Sequence, residues 1–135
     1  MAIYPTPEQI RQLMAGPADE PVVMVNLLRY KPKADGRDAG AGGESAYLRY
    51  ATRMREFVES KGGRFIWAGR IDSQLIGEGG EGFHAAALVE YPSRRAFLAM
   101  MGEPHVKEIG EHRASGLEMQ WLLASTELPL PAAPK

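Results

Sequence analysis

The chain has 135 residues, which is about the length of one domain that can bury its own core without disulfides or metals. Its 16 basic and 17 acidic residues give a net charge of −1, which argues against nucleic acid as a partner, since such proteins gather a basic excess on one face. The absence of cysteine excludes disulfides, thiolate metal sites and cysteine nucleophiles. The apolar runs are too short to span a membrane and the N-terminus lacks a secretory signal, so the sequence predicts a cytoplasmic protein.

The first predicted element is a short helix within residues 1–20, an appendage to the main domain. Thr6 is its expected N-cap, Pro7 its first helical residue and Gln9 the partner in a capping box. A strand is predicted from Pro21 to Lys31, and it is apolar on both alternating faces. The Gly-, Ala- and charge-rich segment 32–45 that follows is predicted to be a long mobile loop.

The most regular helical pattern begins at Ser45 and ends at the glycine pair 62–63, with an apolar stripe at spacings of three, four and seven. Two strands are predicted next, from Arg64 and from Gly82, joined by a flexible hairpin connection. Ser93 caps a further helix that Pro104 breaks or kinks, and a second helical piece continues to about residue 114. The last strand covers 117–126, and the Pro-rich tail 126–135 is expected to be loose.

Without the first helix the order is β-α-β-β-α-β over residues 21–125, which predicts an α+β, ferredoxin-like fold with both helices on one face of an antiparallel sheet. The strands at 22–28, 85–89 and 119–123 are apolar on both faces, whereas the helices cover only one. Because an uncovered apolar sheet face is too large a patch for a monomer, we expect a homodimer whose sheets pack face to face.

Four stretches carry a family resemblance: VNLLRYK, AYLRYATRMREFVESKGGRFIWAG, LVEYPSRRAFLAMMGEPH and EHRASGLEMQWLLAS. Together they resemble the domain of unknown function family 1330 over about Pro21 to Ser125, and that family resembles the dimeric α/β-barrel superfamily. The resemblance implies paired ferredoxin-like sheets but no particular reaction. Relatives often have Trp-Asp where this chain has Phe83-His84, and Tyr where it has His105, so a reaction through that acid is not implied here.

Asn26 is the first candidate site residue, because it is the chain's only asparagine and lies within an apolar strand. A buried amide needs partners, so Asn26 either orients a substrate or bonds a loop or helix end as a structural group. Tyr47 and Tyr50 share the buried stripe of their helix, and their hydroxyls either donate to a substrate oxygen or lie at the rim of ordinary packing.

His112 is the candidate for proton transfer and Arg113 for binding an anionic group. Adjacent helical residues point about 100° apart, so one of the two faces a cleft and the other faces elsewhere. The alternative is a pair that complements the helix macrodipole. His84, a second catalytic candidate, precedes three alanines that leave room either for a pocket or for close helix packing.

A metal site is not predicted, because His105 and His112 are separated by about 10 Å of helical rise, too far to bind one ion together. Haem with His84, His105 or His112 as axial ligand is a minor alternative that rests on analogy with other dimeric barrels. No cofactor is therefore expected.

Three functions remain open from the sequence. The first is a cofactor-free isomerase or monooxygenase-like enzyme that acts on a small carbonyl or phenolic compound, with His112 or His84 handling a proton and with Asn26, Tyr47, Tyr50 and Arg113 binding the substrate. The second is a small-molecule or haem-binding dimer without turnover, and the third is a structural dimer module. The first two functions need a pocket between the sheet and the helices. A pocket with Asn26 and Tyr47 in its wall supports both of them, and a filled core there excludes both.

Overall fold

The structure, a computed structural model, describes residues 2–80 and 82–131. The last four residues of the predicted tail and Glu81 of the predicted hairpin connection lie outside the described residues. The helices are α1 (Pro7–Met14), α2 (Gly43–Ser60), α3 (Arg94–Met101) and α4 (Pro104–Gly116), and the strands are β1 (Val22–Tyr30), β2 (Arg64–Arg70), β3 (Ala85–Tyr91) and β4 (Leu117–Ser125).

The four strands form one antiparallel sheet in the order β2-β3-β1-β4, with β1 between β3 and β4. This is the predicted ferredoxin-like arrangement, because each β-α-β unit places its helix on the same face of the sheet. Helices α2 and α4 lie beside each other and cover that face. None of the helices in the described part of the chain is both long and apolar enough to cross a membrane.

Strand β1 alternates strictly between buried and half-buried residues. Val22, Met24 and Leu28 are among the residues that point toward the helices and join the core. The period of two is that of a pleated strand, so the intervening residues face the opposite side of the sheet. The core therefore lies between the sheet and α2, α3 and α4.

The helix boundaries follow the predicted caps. The Thr6 hydroxyl accepts from the backbone N–H of Gln9 while the Gln9 side chain accepts from Thr6, which is the expected capping box. Ser93 caps α3, and Pro104 occupies the first turn of α4, where its missing N–H costs no hydrogen bond. The prediction that Pro104 interrupts the second helical region is confirmed.

The segment 32–45 differs from the predicted long mobile loop. It contains a 3-10 turn at Gly36–Asp38, and α2 already begins at Gly43. Ala34 and Asp38 are buried. The sequence did not predict this packing, because the side chain that holds the turn is the carboxylate of Asp38, and carboxylates normally lie in solvent.

The face of the sheet away from the helices is apolar and uncovered. Val25 lies between Leu88 on β3 and Leu123 on β4, and directly opposed residues of antiparallel strands share a face. Trp67 and Trp121 are each about half exposed there. We call this surface the open face; its apolar members include Val23, Val25, Leu27, Trp67, Leu88, Trp121 and Leu123.

Candidate functional site

Asn26 lies on the helix-facing side of β1 and is 9% exposed. Its Oδ1 accepts from Nε2 of Gln120 at 2.8 Å, and its Nδ2 makes longer contacts with the carbonyl oxygens of Met24 (3.3 Å) and Ala87 (3.4 Å). The amide is therefore held within the sheet by three protein acceptors and donors. Gln120, on the neighbouring strand, is a polar partner that the sequence did not single out.

Arg113 extends this polar chain from α4. One guanidinium nitrogen, Nη1, donates to Oε1 of Gln120 and to the carbonyl oxygen of Ile3, both at 2.8 Å. The guanidinium also lies 5.0 Å from the ring centroid of Tyr4. Among the described residues no carboxylate pairs with Arg113, so no opposite charge compensates its guanidinium. The N–H groups other than those of Nη1 have no acceptor among the described residues.

Tyr47 and Tyr50 lie on the helix-facing side with Arg113. Their ring centroids are 5.5 Å apart, and within the described chain neither hydroxyl has a hydrogen-bond partner. Burial raises the pKa of both phenols, while the charge of Arg113 acts in the opposite direction on both. The phenols are thus protonated at neutral pH and able to donate to an acceptor.

These residues form one group, which we call the Arg113 cluster: Asn26, Tyr47, Tyr50, Arg113 and Gln120. Leu122 lies opposite Asn26 on the same side of the sheet, yet it is 43% exposed. The helix layer therefore leaves this part of β4 open to solvent. The N-terminal segment closes another side, because the carbonyl oxygen of Ala2 accepts from the backbone N–H of Gln120.

His112 points away from Arg113, as the helical angle predicts for adjacent residues. Its Nδ1 lies 2.8 Å from Oδ2 of Asp38, and Arg49 donates to the same carboxylate. Because an ionised carboxylate only accepts, Nδ1 carries the proton. The other ring nitrogen, Nε2, is buried and has no partner among the described residues. His112 therefore ties α4 to the 3-10 turn and does not face an open cleft.

Asp38 is the centre of this buried group, with its side chain 1% exposed. Burial alone would raise the pKa of its carboxyl, but hydrogen bonds from His112 and Arg49, together with the charges of both, lower the pKa below its usual value. The net result is an ionised carboxylate that fixes two neighbouring helices. Sequence reasoning missed Asp38 and Arg49, since nothing in the pattern of segment 32–45 marked a buried acid.

His84 lies just before β3, in a surface cleft of about 560 Å³, and the ring of Tyr30 stands between it and Tyr47 of the Arg113 cluster, with 5.6 Å between the two tyrosine ring centroids. Its Nδ1 accepts from the backbone N–H of Tyr30 at 3.0 Å, and its ring stacks on that tyrosine. The three alanines that follow His84 do not line this cleft, so it is not the room predicted above them.

The structure joins Asn26 to Arg113 through Gln120 and places Tyr47 and Tyr50 where the charge of Arg113 acts on both. His112 turns to Asp38 instead, and His84 contacts Tyr30.

The family profile described as "Domain of unknown function (DUF1330)" matches residues 42–126. Among solved structures, the RPA0582 protein of unknown function from Rhodopseudomonas palustris is 32% identical, with a TM-score of 0.85 over 95% of this chain and 98% of that one. No protein in the curated set matches significantly.

More distant structures share the fold alone. The hydroxynitrile lyase from Passiflora edulis is 15% identical, with a TM-score of 0.60 over 84% of this chain and 99% of that one. A dabb family protein with a ferredoxin-like fold from Mesorhizobium loti is 12% identical, with a TM-score of 0.54 over 81% of this chain and 98% of that one.

Proposed function

We propose that this chain, which belongs to the DUF1330 family of domains of unknown function, is a small-molecule-binding protein that acts as a homodimer. Its ligand site is the Arg113 cluster, and its ligand is a small carbonyl or phenolic compound. A cytoplasmic location stays a prediction, which fractionation of the native cells would check.

The observation that carries this proposal is the unneutralised guanidinium of Arg113 among phenol groups that lack partners. A charge that is partly removed from water is costly unless a partner compensates it. The nearby protein acceptors, Ile3 and Gln120, are neutral and use only Nη1. An oxygen that carries partial or full negative charge would complete the site.

The donors of the cluster define the chemistry of that oxygen. The hydroxyls of Tyr47 and Tyr50 and the free guanidinium N–H groups suit an enolate, a phenolate or a polarised carbonyl oxygen. Asn26 holds Gln120, and Gln120 in turn holds Arg113. Asn26 therefore acts on the ligand through this chain, as a positioning residue.

Binding of 4-nitrophenol tests the site, because the absorbance of this probe separates the phenol from the phenolate. We expect the protein to favour the phenolate, and we expect Arg113→Gln to weaken binding at least about tenfold, the effect of losing a charged hydrogen bond. Arg95→Gln is the matched control, since Arg95 is exposed on α3. Equal affinities for the two variants, or equal binding of 4-nitroanisole, would rule out the proposed role of Arg113.

The proposed homodimer uses the open face. This surface presents two half-exposed tryptophans and the half-exposed Leu123 beside a row of aliphatic side chains. A second copy related by a two-fold axis would bury that surface against its equivalent, which suits an isologous interface. Light scattering should give twice the chain mass of 14.8 kDa. A monomer at micromolar concentration would contradict this assembly.

Cofactor-free catalysis, as an isomerase or monooxygenase, is the second candidate function. The Asp38–His112 pair favours it, because a carboxylate on Nδ1 leaves Nε2 as a proton acceptor. Since Nε2 is enclosed, turnover would require the 3-10 turn and α4 to separate. If His112→Gln retains the turnover rate on an enolisable compound that the protein converts, His112 takes no part in proton transfer; His84→Gln tests the second histidine in the same way.

A further inference from the structure

The cleft at the end of the sheet is a separate site that the Arg113 cluster does not explain. It lies at the N-terminus of α2, beside the ends of β1 and β2. We call it the His84 cleft; it is lined by Tyr30, Lys31, Pro32, residues 42–45, Arg70, Ile71 and His84. Its volume of about 560 Å³ is within the range of small-molecule sites.

Helix α2 presents unpaired backbone donors to this cleft. Its N-cap is Gly42, which has no side chain to satisfy the first turn. Within the described chain, the N–H groups of Glu44 and Ser45 have no backbone or side-chain acceptor. The aligned peptide dipoles of an 18-residue helix add partial positive charge at this end.

Tyr30 points to the same space as these donors. It is 9% exposed and lines the cleft, and its hydroxyl makes no hydrogen bond within the described residues. Burial raises the pKa of this phenol, and the charges of Glu44 and Arg70 act on it in opposite directions. The side chain of Tyr30 is thus nine-tenths buried, and its hydroxyl is free to donate to an acceptor in the cleft.

His84 adds a further donor. Because its Nδ1 accepts from the Tyr30 backbone, the proton of the neutral imidazole is on Nε2. The ring is held against Tyr30, with 5.7 Å between the ring centroids. The arrangement therefore keeps the imidazole in one orientation at the wall of the cleft.

The charges around the cleft are balanced in pairs. The Glu44 carboxylate, the acid among the lining residues, binds Arg70 at 3.1 Å, and Lys31 binds Asp35 at 2.7 Å. Among the described lining residues, the donors without a protein partner include two backbone N–H groups, a phenol and an imidazole N–H. Such a set is suited to one compact anionic group rather than to a cation.

The close approach of the chain in this region also needs a glycine. A methyl group added at Gly43 would lie 2.0 Å from the carbonyl oxygen of Lys31. The glycine thus allows the start of α2 to lie directly against the end of β1. This contact brings the α2 N–H groups beside Tyr30.

We propose that the His84 cleft binds the carboxylate of a small aromatic acid. The carboxylate oxygens accept from the N–H groups of Glu44 and Ser45 and from the Tyr30 hydroxyl. The carbon skeleton lies against Pro32 and Ile71, which are apolar parts of the wall. This proposal does not rest on the proposed function of the Arg113 cluster, although the ring of Tyr30 packs against Tyr47 of that cluster.

Benzoate is the probe, and amide NMR of the full chain is the readout. We expect saturable shifts of the Glu44 and Ser45 amide signals and of the His84 ring, and no such shifts with benzamide, which has the same shape but no charge. The Arg113→Gln variant should retain these shifts, which separates this site from the Arg113 cluster. Equal shifts with benzamide, shifts only with inorganic phosphate, or loss of the shifts in Arg113→Gln would each overturn the proposal.

Two substitutions test the donors and the charges. Tyr30→Phe keeps the ring on His84 and should weaken benzoate binding about three- to tenfold, the loss of one hydrogen bond. Glu44→Gln removes the nearby negative charge and releases Arg70, so it should strengthen binding, whereas Glu8→Gln on α1 should leave it unchanged. Unaltered affinity in Tyr30→Phe, or weaker binding in Glu44→Gln, in variants whose amide spectra show the native fold, would contradict the assignment.

Discussion

At the scale of single residues, the sequence selected polar groups by their type and left their partners undetermined. Asn26 stood out because an amide in an apolar strand must be satisfied, and it is. Asp38 did not, because a carboxylate in a segment rich in glycine and charge looks like an ordinary solvated loop residue. Its burial depends on His112, which is 74 residues away along the chain.

The buried carboxylate leads to a pH-dependent stability prediction. Since the folded-state pKa of Asp38 is lowered, its contribution is fully present above the unfolded-state pKa, near 4, and is lost as the pH falls through the folded-state value. Asp38→Asn should lower the free energy of unfolding by about 2 kcal/mol at pH 7, the scale of hydrogen bonds to a charged group.

Urea unfolding at pH 7 and pH 3 measures this effect. The difference between the native chain and Asp38→Asn should shrink at the lower pH, because the unfolded chain then binds a proton at Asp38 that the folded carboxylate resists. Asp35→Asn is the matched control, since the Asp35 side chain is exposed and its pair with Lys31 should contribute about 1 kcal/mol or less. A difference that is the same at both pH values would contradict the role of the Asp38 charge.

At the scale of elements, the patterns predicted type and order well. Periodicity and caps identified the helices because Thr6, Ser93 and Pro104 act through the backbone of their own turn. Periodicity and caps do not predict how closely two helices approach each other. Helix α4 contacts α2 at Gly116, and the absence of a side chain there allows the two backbones to lie close together. A glycine adds nothing to an apolar stripe, so the sequence pattern did not indicate this contact.

Two glycines of α4 should therefore respond in opposite directions to alanine. In Gly116→Ala the new methyl group would lie 2.4 Å from the carbonyl oxygen of Gly43, so the helices must separate, at a cost of about 2 kcal/mol. In Gly110→Ala the methyl group meets no atom within 4 Å, and the higher helix propensity should stabilise by about 0.5–1 kcal/mol.

Thermal unfolding of the two variants gives the comparison within one helix. We expect the melting temperature to fall for Gly116→Ala and to rise for Gly110→Ala. A Gly116→Ala variant as stable as the native chain would show that α2 and α4 are not held at this distance.

At the scale of the whole molecule, the sheet has one covered face and one open face. The two-sided apolar character of β1 indicated this from the sequence, because the helices can cover only one side. The same argument predicts which substitutions affect assembly without affecting the core of one chain.

Leu123→Glu tests the interface. Leu123 lies on the open face opposite Val25 and is 52% exposed in one chain, so a carboxylate there should be tolerated by the monomer fold and should prevent dimerisation. Leu128→Glu is the control, since Leu128 is exposed beyond β4. Sedimentation equilibrium should show a monomer for Leu123→Glu and a dimer for the control; a dimer in both would place the interface elsewhere.

The sequence by itself determined the fold class, the order of the elements and the presence of an apolar sheet face beyond the reach of the helices. These properties depend on periodicity and capping, which act between residues close in the chain. The tertiary structure alone decided that Arg113 joins Gln120 and Asn26, that His112 turns to Asp38, and that Tyr30 and His84 meet the start of α2. Those contacts bring together groups up to 94 residues apart, and their partners depend on how helices and strands pack. The sequence led us to expect one polar set around Asn26, the tyrosines and the histidines. The structure divides these residues among the Arg113 cluster, the buried group around Asp38 and the His84 cleft.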